Sequence, residues 1–115
     1  MQYLLLIYMN EKQFEAKAKD ELQSMMGEYN ALSADLAGKK QLISGNRLQS
    51  VATATTLRVR DGKTQITDGP FAETREQLGG YYLIEAKDLD EATRIAARIP
   101  SARDGSIEIR PIHAM

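Results

Sequence analysis

The sequence contains no cysteine and no tryptophan, a single histidine and only three prolines among 115 residues. Without cysteine, the chain has no disulfide framework, no thiolate metal site and no thiol nucleophile. The lone histidine, His113, excludes a histidine-rich metal site within one chain. The glycines form neither a P-loop nor a dinucleotide-binding fingerprint. We therefore expect a protein that works without a metal or another cofactor.

An excess of either charge is also missing, because 15 lysines and arginines face 16 aspartates and glutamates. A polyanion held by counterion release needs a positive excess, so we expect no direct contact with nucleic acid. The longest apolar run near the start, Tyr3 to Met9, is far too short to span a bilayer. It also lacks the basic segment and cleavage site of a signal peptide. We expect a cytoplasmic protein that makes no membrane contact.

What is present is ordinary globular composition, with 43% hydrophobic and 27% charged residues and no low-complexity tract. This length and composition predict one domain, spanning residues 1–115, with one core. The continuous apolar run Tyr3 to Tyr8 predicts a strand that is buried on both faces.

Two helices are predicted from apolar residues that recur every three or four positions. The first runs from Phe14 to Ala37 and ends at Gly38, a typical residue just beyond a helix end. The second begins at Asp88, where Asp88-Leu89-Asp90-Glu91 has the spacing of a capping box, and Pro100 ends it. Its expected buried residues are Leu89, Ala92, Ile95, Ala96 and Ile99.

Further strands are predicted at Gln41 to Leu48, which Gly45-Asn46 interrupts by a bulge or a change of direction, and at Tyr81 to Ala86 and Ser106 to Ile112. Tyr81 to Ala86 is entered through Gly79-Gly80, and Pro111 argues for an edge position or a strand end.

A hairpin is predicted where Asp61-Gly62 joins two β-prone runs, Thr53 to Arg60 and Lys63 to Asp68. A two-residue type I′ turn sets the register, and each strand then alternates between two faces. One face carries Leu57, Val59, Ile66 and Asp68, and the other carries Arg58, Arg60, Lys63 and Gln65.

The element order is β-α-β, a hairpin, and β-α-β again. Without the hairpin this is the split β-α-β arrangement of α+β, ferredoxin-like folds, with both helices on one face of an antiparallel sheet. The strands at Tyr3 to Tyr8 and Tyr81 to Ala86 are nevertheless apolar on both faces. Because a large exposed apolar surface is unfavourable in a monomer, we expect a homodimer in which an identical chain covers the second face.

The candidate site is the stretch Asp68-Gly69-Pro70-Phe71 with the charged residues Glu73 and Arg75 just beyond it. In a functional interpretation, desolvation on the apolar face favours protonation of Asp68, which then acts as a general acid or base or binds a ligand. In a structural interpretation, Asp68 accepts hydrogen bonds from turn amides and Phe71 fills the core, while the charged residues line a solvated loop. A single carboxylate favours the structural interpretation.

Arginines offer a second set of candidates. Arg58, together with Arg60 on the hairpin and Arg110 on the last strand, would suit an anionic small molecule, because guanidinium groups bind such anions in a bidentate way. Alternating arginines on a half-exposed hairpin are more often simply its solvent face.

The motif and its surroundings resemble a known family. The run from Asp68 to Gly80, Asp-Gly-Pro-Phe-Ala-Glu-Thr-Arg-Glu-Gln-Leu-Gly-Gly, is similar to the DGPF branch of the YCII-related family. The similarity extends to residues 55–63, 88–92 and 105–112 and covers nearly the whole chain. Arg75 stands where the family often has lysine.

The resemblance implies a bacterial protein with a ferredoxin-like fold of the dimeric α+β barrel type. A His-Asp pair with its histidine on the first helix has been proposed as the active site of the broader family. No histidine lies between Phe14 and Ala37, so this pair is not carried over and only Asp68 matches a motif carboxylate. Members of the DGPF branch are often associated with alternative sigma factors, which implies a transcription-regulator partner.

Two functions therefore remain open. The first is a homodimeric small-molecule-binding protein with its pocket near Asp68, Phe71 and Glu73 and with a cofactor-independent acid/base activity. The second is a noncatalytic regulatory module that contacts a transcription factor. The wider fold group includes lactone isomerases, dehalogenases, monooxygenases and noncatalytic ligand-binding domains, so the fold does not choose between the two.

Overall fold

A computed structural model of the protein describes residues 1–114. Within this range the chain forms six strands, three helices and two short 3₁₀ turns, at Val51–Thr53 and Pro100–Arg103. In chain order the strands and helices are β1 (Gln2–Met9), α1 (Glu11–Glu15), α2 (Lys19–Gly38), β2 (Leu42–Arg47), β3 (Thr55–Arg60), β4 (Lys63–Asp68), β5 (Gln77–Glu85), α3 (Leu89–Ala96) and β6 (Ser106–Pro111).

Four strands form one antiparallel sheet in the order β2-β5-β1-β6, and β3 and β4 pair separately. Helices α2 and α3 cover one face of the large sheet. This is the split β-α-β arrangement, so the predicted α+β, ferredoxin-like fold is confirmed. The helices of residues 1–114 are all too short or too polar to cross a membrane.

The core lies between the helices and the inner face of the sheet. On β1 the buried side chains alternate, with Tyr3, Leu5 and Ile7 pointing toward the helices. Leu5 of β1, Ile84 of β5 and Leu36 of α2 are completely buried. Each such aliphatic side chain stabilises the fold by roughly 1.5 to 3 kcal/mol relative to an exposed one.

The opposite face of the sheet has no cover from helices, and we call it the open face. Its central side chains are large, apolar and only half-buried: Leu4, Leu6, Tyr8, Tyr81 and Leu83. Both faces of β1 and β5 are therefore apolar, as the sequence indicates. The open face is the surface for which the sequence predicted an identical partner chain.

The first helical segment differs from the prediction of one helix from Phe14 to Ala37. Asn10 caps α1, its Oδ1 accepting from the Gln13 amide at 3.0 Å, so helix begins three residues earlier than Phe14. An extended residue at Ala18 then separates α1 from α2. The left-handed residue beyond α2 is Lys40, with φ 59°, rather than Gly38, which is still helical.

The remaining helix largely matches its prediction. The Asp88 carboxylate accepts from the Glu91 amide at 2.9 Å, which confirms it as the N-cap of α3. Glu91 itself accepts from the Lys87 amide at 3.0 Å. Of the five residues expected to be buried, Leu89 is exposed because it lies in the first turn, where α3 leaves the sheet.

The predicted hairpin is also confirmed, with positive φ at Asp61 and Gly62 as a type I′ turn requires. Leu57 pairs with Ile66 and Thr55 with Asp68, in the predicted register. We call residues 55–68 the arm. The Cα radius of gyration is 16.1 Å, against about 13 Å for a compact chain of this length, because the arm stands away from the main sheet.

Gly79 and Gly80 lie inside β5 rather than before it, and each has a positional reason. The pairing of β1 with β5 slips between Ile7 and Tyr8, which leaves Gly79 in a bulge. A Cβ at Gly80 would lie 2.8 Å from the Asn46 carbonyl oxygen of β2. Strand β2 has its own irregularity between Leu42 and Ser44, not at Gly45-Asn46.

Two glycine substitutions test the packing. Gly105→Ala would place a Cβ against the backbone carbonyl oxygens of Tyr8 and Ser101, so we expect the free energy of unfolding to fall by about 1 to 3 kcal/mol. Gly27→Ala on the exposed side of α2 meets nothing within 4 Å and should raise it by about 0.5 to 1 kcal/mol. Urea unfolding at one chain concentration measures both, and equal effects would contradict the packing at Gly105.

Candidate functional site

Asp68 lies at the end of β4 with its carboxylate exposed to solvent. Its register places it on the same face of the arm as Leu57 and Ile66, as predicted. Those neighbours are themselves exposed, so the apolar face does not desolvate Asp68 within one chain. Within residues 1–114 Asp68 has no hydrogen-bond or ion-pair partner, so the expected bonds to turn amides do not form.

The Gly-Pro-Phe segment turns the chain away from the arm. Gly69 has φ 96°, a conformation that favours glycine, and its amide donates to the Ala54 carbonyl at 2.7 Å. The Thr56 hydroxyl donates to the Gly69 carbonyl at 2.8 Å. Pro70 and Phe71 are exposed, and Phe71 at 77% cannot fill the core, so that expectation was wrong.

Glu73 and Arg75 lie in an exposed stretch that leads into β5. The Arg75 carbonyl accepts a long hydrogen bond of 3.4 Å from the Asn10 side chain, while both charged side chains point to solvent. In one chain this stretch is the solvated loop of the structural interpretation.

The candidate arginines lie apart from Asp68. Arg58 is on the opposite face of the arm, paired with Gln65. Arg110 lies on the open face of the sheet, across from Leu4, with its Nε 3.4 Å from a Glu108 carboxylate oxygen. The predicted anion-binding arginines are thus divided between the arm and the main sheet, and no ion pair joins Arg58 or Arg110 to Asp68 in the described part of the chain.

A partly open cavity of about 280 Å³ lies elsewhere, between α2 and the sheet, and we call it the cleft. One wall is the first half of α2, and the floor is backbone at the glycines of β2 and β5. Its apolar lining includes Ile7, Met9, Phe14, Leu22, Met25 and Met26. The volume is slightly below the roughly 300 to 1,000 Å³ of most ligand pockets, which suits a ligand of one or two rings.

The cleft has polar groups held in fixed positions. The Ser33 hydroxyl lies 2.8 Å from the Tyr82 hydroxyl, and the Tyr29 hydroxyl lies 2.6 Å from that of Ser101. Burial raises the pKa of Tyr29, outweighing the hydrogen bond with Ser101, so this hydroxyl stays neutral near pH 7. Neutral hydroxyls with fixed partners can orient a ligand.

Arg47 is the cation of the cleft. It lies at the end of β2, with its guanidinium 5.3 Å from the centre of the Phe14 ring. This cation–π contact leaves the guanidinium donors for other partners. The neighbouring Asn46 contributes backbone to the cleft, since its side chain lies on the open face and donates to the Tyr81 hydroxyl at 2.9 Å. In the described residues, no carboxylate and no histidine lines the cleft.

Glu11 connects the cleft wall to the base of the arm. Its carboxylate accepts from the Ser50 hydroxyl at 3.0 Å and from the Val51 amide at 3.1 Å, just before the arm begins. Its own amide donates to the Gln77 side chain at 2.9 Å, at the start of β5, where the chain returns to the main sheet. Because Phe14 is on the same short helix, Glu11 fixes the arm base relative to the cleft.

A second polar group lies on the open face, where Tyr8 is close to Glu108 and Arg110. Burial, followed by the negative charge of Glu108, raises the pKa of Tyr8, and Arg110 partly opposes this. Tyr8 is therefore a neutral donor at physiological pH. Its neighbours give the open face one polar cluster among apolar side chains.

Sequence reasoning missed the cleft residues, although some signals were present. Met25, Met26 and Tyr29 belong to the apolar positions of the predicted first helix, a pattern equally typical of a core. Gly45 was predicted to lie at a bulge or a change of direction, and Gly79-Gly80 to lead into a strand. These glycines lie together under α2 because β2 and β5 are neighbours in the sheet, and the order of the strands is not evident from the sequence.

Removing the Glu11 carboxylate should loosen the arm base. In Glu11→Ala the Val51 amide and the Ser50 hydroxyl lose their acceptor, so we expect exchange of the Val51 amide to accelerate by about tenfold or more. Hydrogen exchange followed residue by residue measures this. Glu15→Ala, an exposed change on the same helix, is the control, and equal protection of Val51 in both variants would contradict the role of Glu11.

Comparison with known proteins identifies the family. The model of the YCII-related domain family matches residues 1–115. An uncharacterized protein of Rhizobium meliloti (strain 1021) is 39% identical over 114 residues, which cover 97% of this chain and 92% of that protein. The family match spans the chain from end to end, so this protein belongs to the YCII-related domain family.

Proposed function

We propose that the protein binds a small molecule in the cleft beneath α2. The observation that supports this most strongly is the cleft itself, an apolar cavity with a cation at its mouth and paired hydroxyls in its wall. Apolar cavities with a few fixed polar groups are typical ligand sites. The ligand class that fits is a flat, one- or two-ring apolar molecule with an acidic group directed at Arg47.

Binding fits the cleft better than acid/base catalysis does. A general base must lie within hydrogen-bond reach of the proton that it removes. The titratable side chains of the cleft are tyrosines and Arg47, and burial keeps Tyr29 protonated. An acid/base activity would therefore depend on a carboxylate brought in from another surface.

The charge of Arg47 should distinguish an anionic ligand from a neutral one. Arg47→Gln is expected to weaken binding of naphthoate by about tenfold, because a charge-assisted hydrogen bond is lost, and to leave naphthylmethanol nearly unaffected. Isothermal titration calorimetry with both probes measures the difference. An equal loss for both probes would show that Arg47 does not bind the acidic group.

A steric pair of variants tests the location. Asn30→Trp places a bulky ring at the wall of the cleft, whereas Ala31→Trp places the same ring on an exposed α2 position that does not line it. Only Asn30→Trp should abolish binding of both probes. Unchanged binding in Asn30→Trp would overturn the cleft as the site.

We also propose that the protein is a homodimer and that pairing activates the Asp68 region. Asp68 shares the exposed apolar face of the arm with Leu57 and Ile66. A second chain over that face would desolvate the carboxylate, and the adjoining Gly69, Pro70, Phe71, Glu73 and Arg75 would line the same junction. Under those conditions Asp68 would bind a polar ligand group or exchange a proton with it.

A thermal-shift screen of small acids, lactones and phenols separates the two regions. If the Asp68 region binds a ligand, Asp68→Asn should reduce the shift given by a hit without lowering the melting temperature of the free protein. Hits that bind the cleft should instead be lost in Asn30→Trp. A large fall in melting temperature of ligand-free Asp68→Asn would indicate a structural role only.

A noncatalytic regulatory module is the alternative, and the exposed arm favours it. An apolar patch that persists on the protein in solution would offer a docking surface to a transcription regulator. In that case an apolar patch should remain exposed after dimerisation, and no compound in the screen should shift the melting temperature. The cleft is the feature that makes ligand binding the stronger proposal.

A further inference from the structure

We propose that Met9 sets the length of the ligand that the cleft accepts. This inference rests on the small-molecule binding proposed above and assigns one boundary of that site to a single side chain. The ligand class becomes a flat acid whose far end, opposite the acidic group, meets a flexible thioether rather than a rigid wall.

Met9 lies across the glycine floor of the cleft from Arg47. It is the last residue of β1, and its side chain packs against the core and lines the cleft. Strand pairing places Arg47 beside Gly80, and Gly80 beside Ile7, in a row across three strands. A ligand with its acidic group at Arg47 can therefore lie over bare backbone until it reaches the side chains of β1.

The outer half of Met9 lies along the backbone of Gly79, where no other side chain competes for the space. A Cβ at Gly79 would be 2.9 Å from the Met9 Cε, 3.4 Å from its Sδ and 3.6 Å from its Cγ. The bulge at Gly79 thus supplies the room that Met9 occupies. Because methionine is unbranched and flexible, its end can move when the neighbouring volume changes.

The protein is not packed solid on the far side of Met9. A small cavity of about 10 Å³ lies there, between α1 and the 3₁₀ turn at Pro100–Arg103, with space for about one water molecule. Met9 and Phe14 line both this cavity and the cleft, so these two side chains form the wall between them. Shortening Met9 would lengthen the cleft toward space that is already partly empty.

The tyrosine end of the cleft has no such freedom. There the hydroxyls of Ser33 and Tyr82 are 2.8 Å apart, and the rings of Tyr29 and Tyr82 pack with their centres 6.5 Å apart. A Cβ at Gly45 would lie 2.7 Å from the Tyr82 Cδ1, so ring and backbone are already in close contact. A longer ligand can gain room at Met9 but not at the tyrosines.

Met9→Val tests the limit directly, because valine is shorter and suits a strand. The probes are naphthoate and anthracenecarboxylate, the same acid with one more fused ring. We expect Met9→Val to bind anthracenecarboxylate about tenfold more tightly than wild type does, because the third ring takes the space of the thioether, and to change naphthoate binding by less than about threefold. Isothermal titration calorimetry measures both, and circular dichroism of the free variants verifies the fold.

Met26→Val is the matched control. Met26 also lines the cleft but is 40% exposed, so shortening it opens the wall to solvent and not toward the small cavity. The ratio of the two dissociation constants should stay that of wild type. An equal gain for anthracenecarboxylate in Met26→Val would overturn the role of Met9, because any shortened methionine would then suffice.

Gly79→Ala tests the same contact from the other side. The added methyl displaces the end of Met9, so the cleft loses room and binding of both acids should weaken by about tenfold. In the double variant Gly79→Ala/Met9→Val the displaced atoms are absent, and binding should return to that of Met9→Val. A double variant as weak as Gly79→Ala would show that the methyl itself blocks the ligand, against the role of Met9.

The outcomes separate this inference from ligand binding itself. A wild type that binds neither acid removes the proposed site and this inference together. If naphthoate binds wild type and is lost in Asn30→Trp, while Met9→Val leaves the preference between the acids unchanged, the cleft stands as the site and Met9 is overturned as its limit.

Discussion

The antiparallel pairing of β1 with β5 is the constraint on which the rest of the structure depends. It places Tyr3, Leu5 and Ile7 beside Tyr82 and Ile84, so that α2 and α3 can close over one continuous inner face. The same pairing sends every second side chain to the other face. A central strand that is apolar throughout therefore produces a folded core and an uncovered apolar surface at once.

The cleft arises where this pairing becomes irregular. The bulge at Gly79 and the close approach of Gly80 to Asn46 leave the sheet without side chains beneath the first half of α2. The chain leaves the sheet after Arg47, forms the arm and returns at Gln77, and Glu11 forms hydrogen bonds with Ser50 before the arm and Gln77 after it. The cleft, Arg47 and the segments bonded to Glu11 thus lie at the same corner of the sheet. We therefore expect a substitution in one of them to alter the structure of the other two.

The features that could be predicted from the sequence are those that depend only on residues close together in the chain. The Asp88 cap, the Asp61-Gly62 turn and the hairpin register each follow from a few adjacent side chains, and the structure has all three. The exposure of Phe71 could not be predicted in this way, because it depends on whether a segment distant in sequence packs over the ring. Likewise, sequence distance concealed the hydrogen bonds between Glu11 and Ser50, which topology brings together. The predicted site lies at the motif, whereas the cavity forms where Gly45 of β2 lies beside Gly79 and Gly80 of β5.

Association of two copies would also bring Asp68 of the motif close to polar side chains of the open face. Asp68 lies on the apolar face of the arm, while Tyr8, Glu108 and Arg110 form the polar cluster of the open face. In a single chain neither group has the seclusion from water that strengthens electrostatic interactions. Joining the two surfaces would bury a carboxylate near a tyrosine hydroxyl and an arginine in the same interface. Proton transfer by Asp68 would then be a property of the pair, whereas the cleft is formed within one chain.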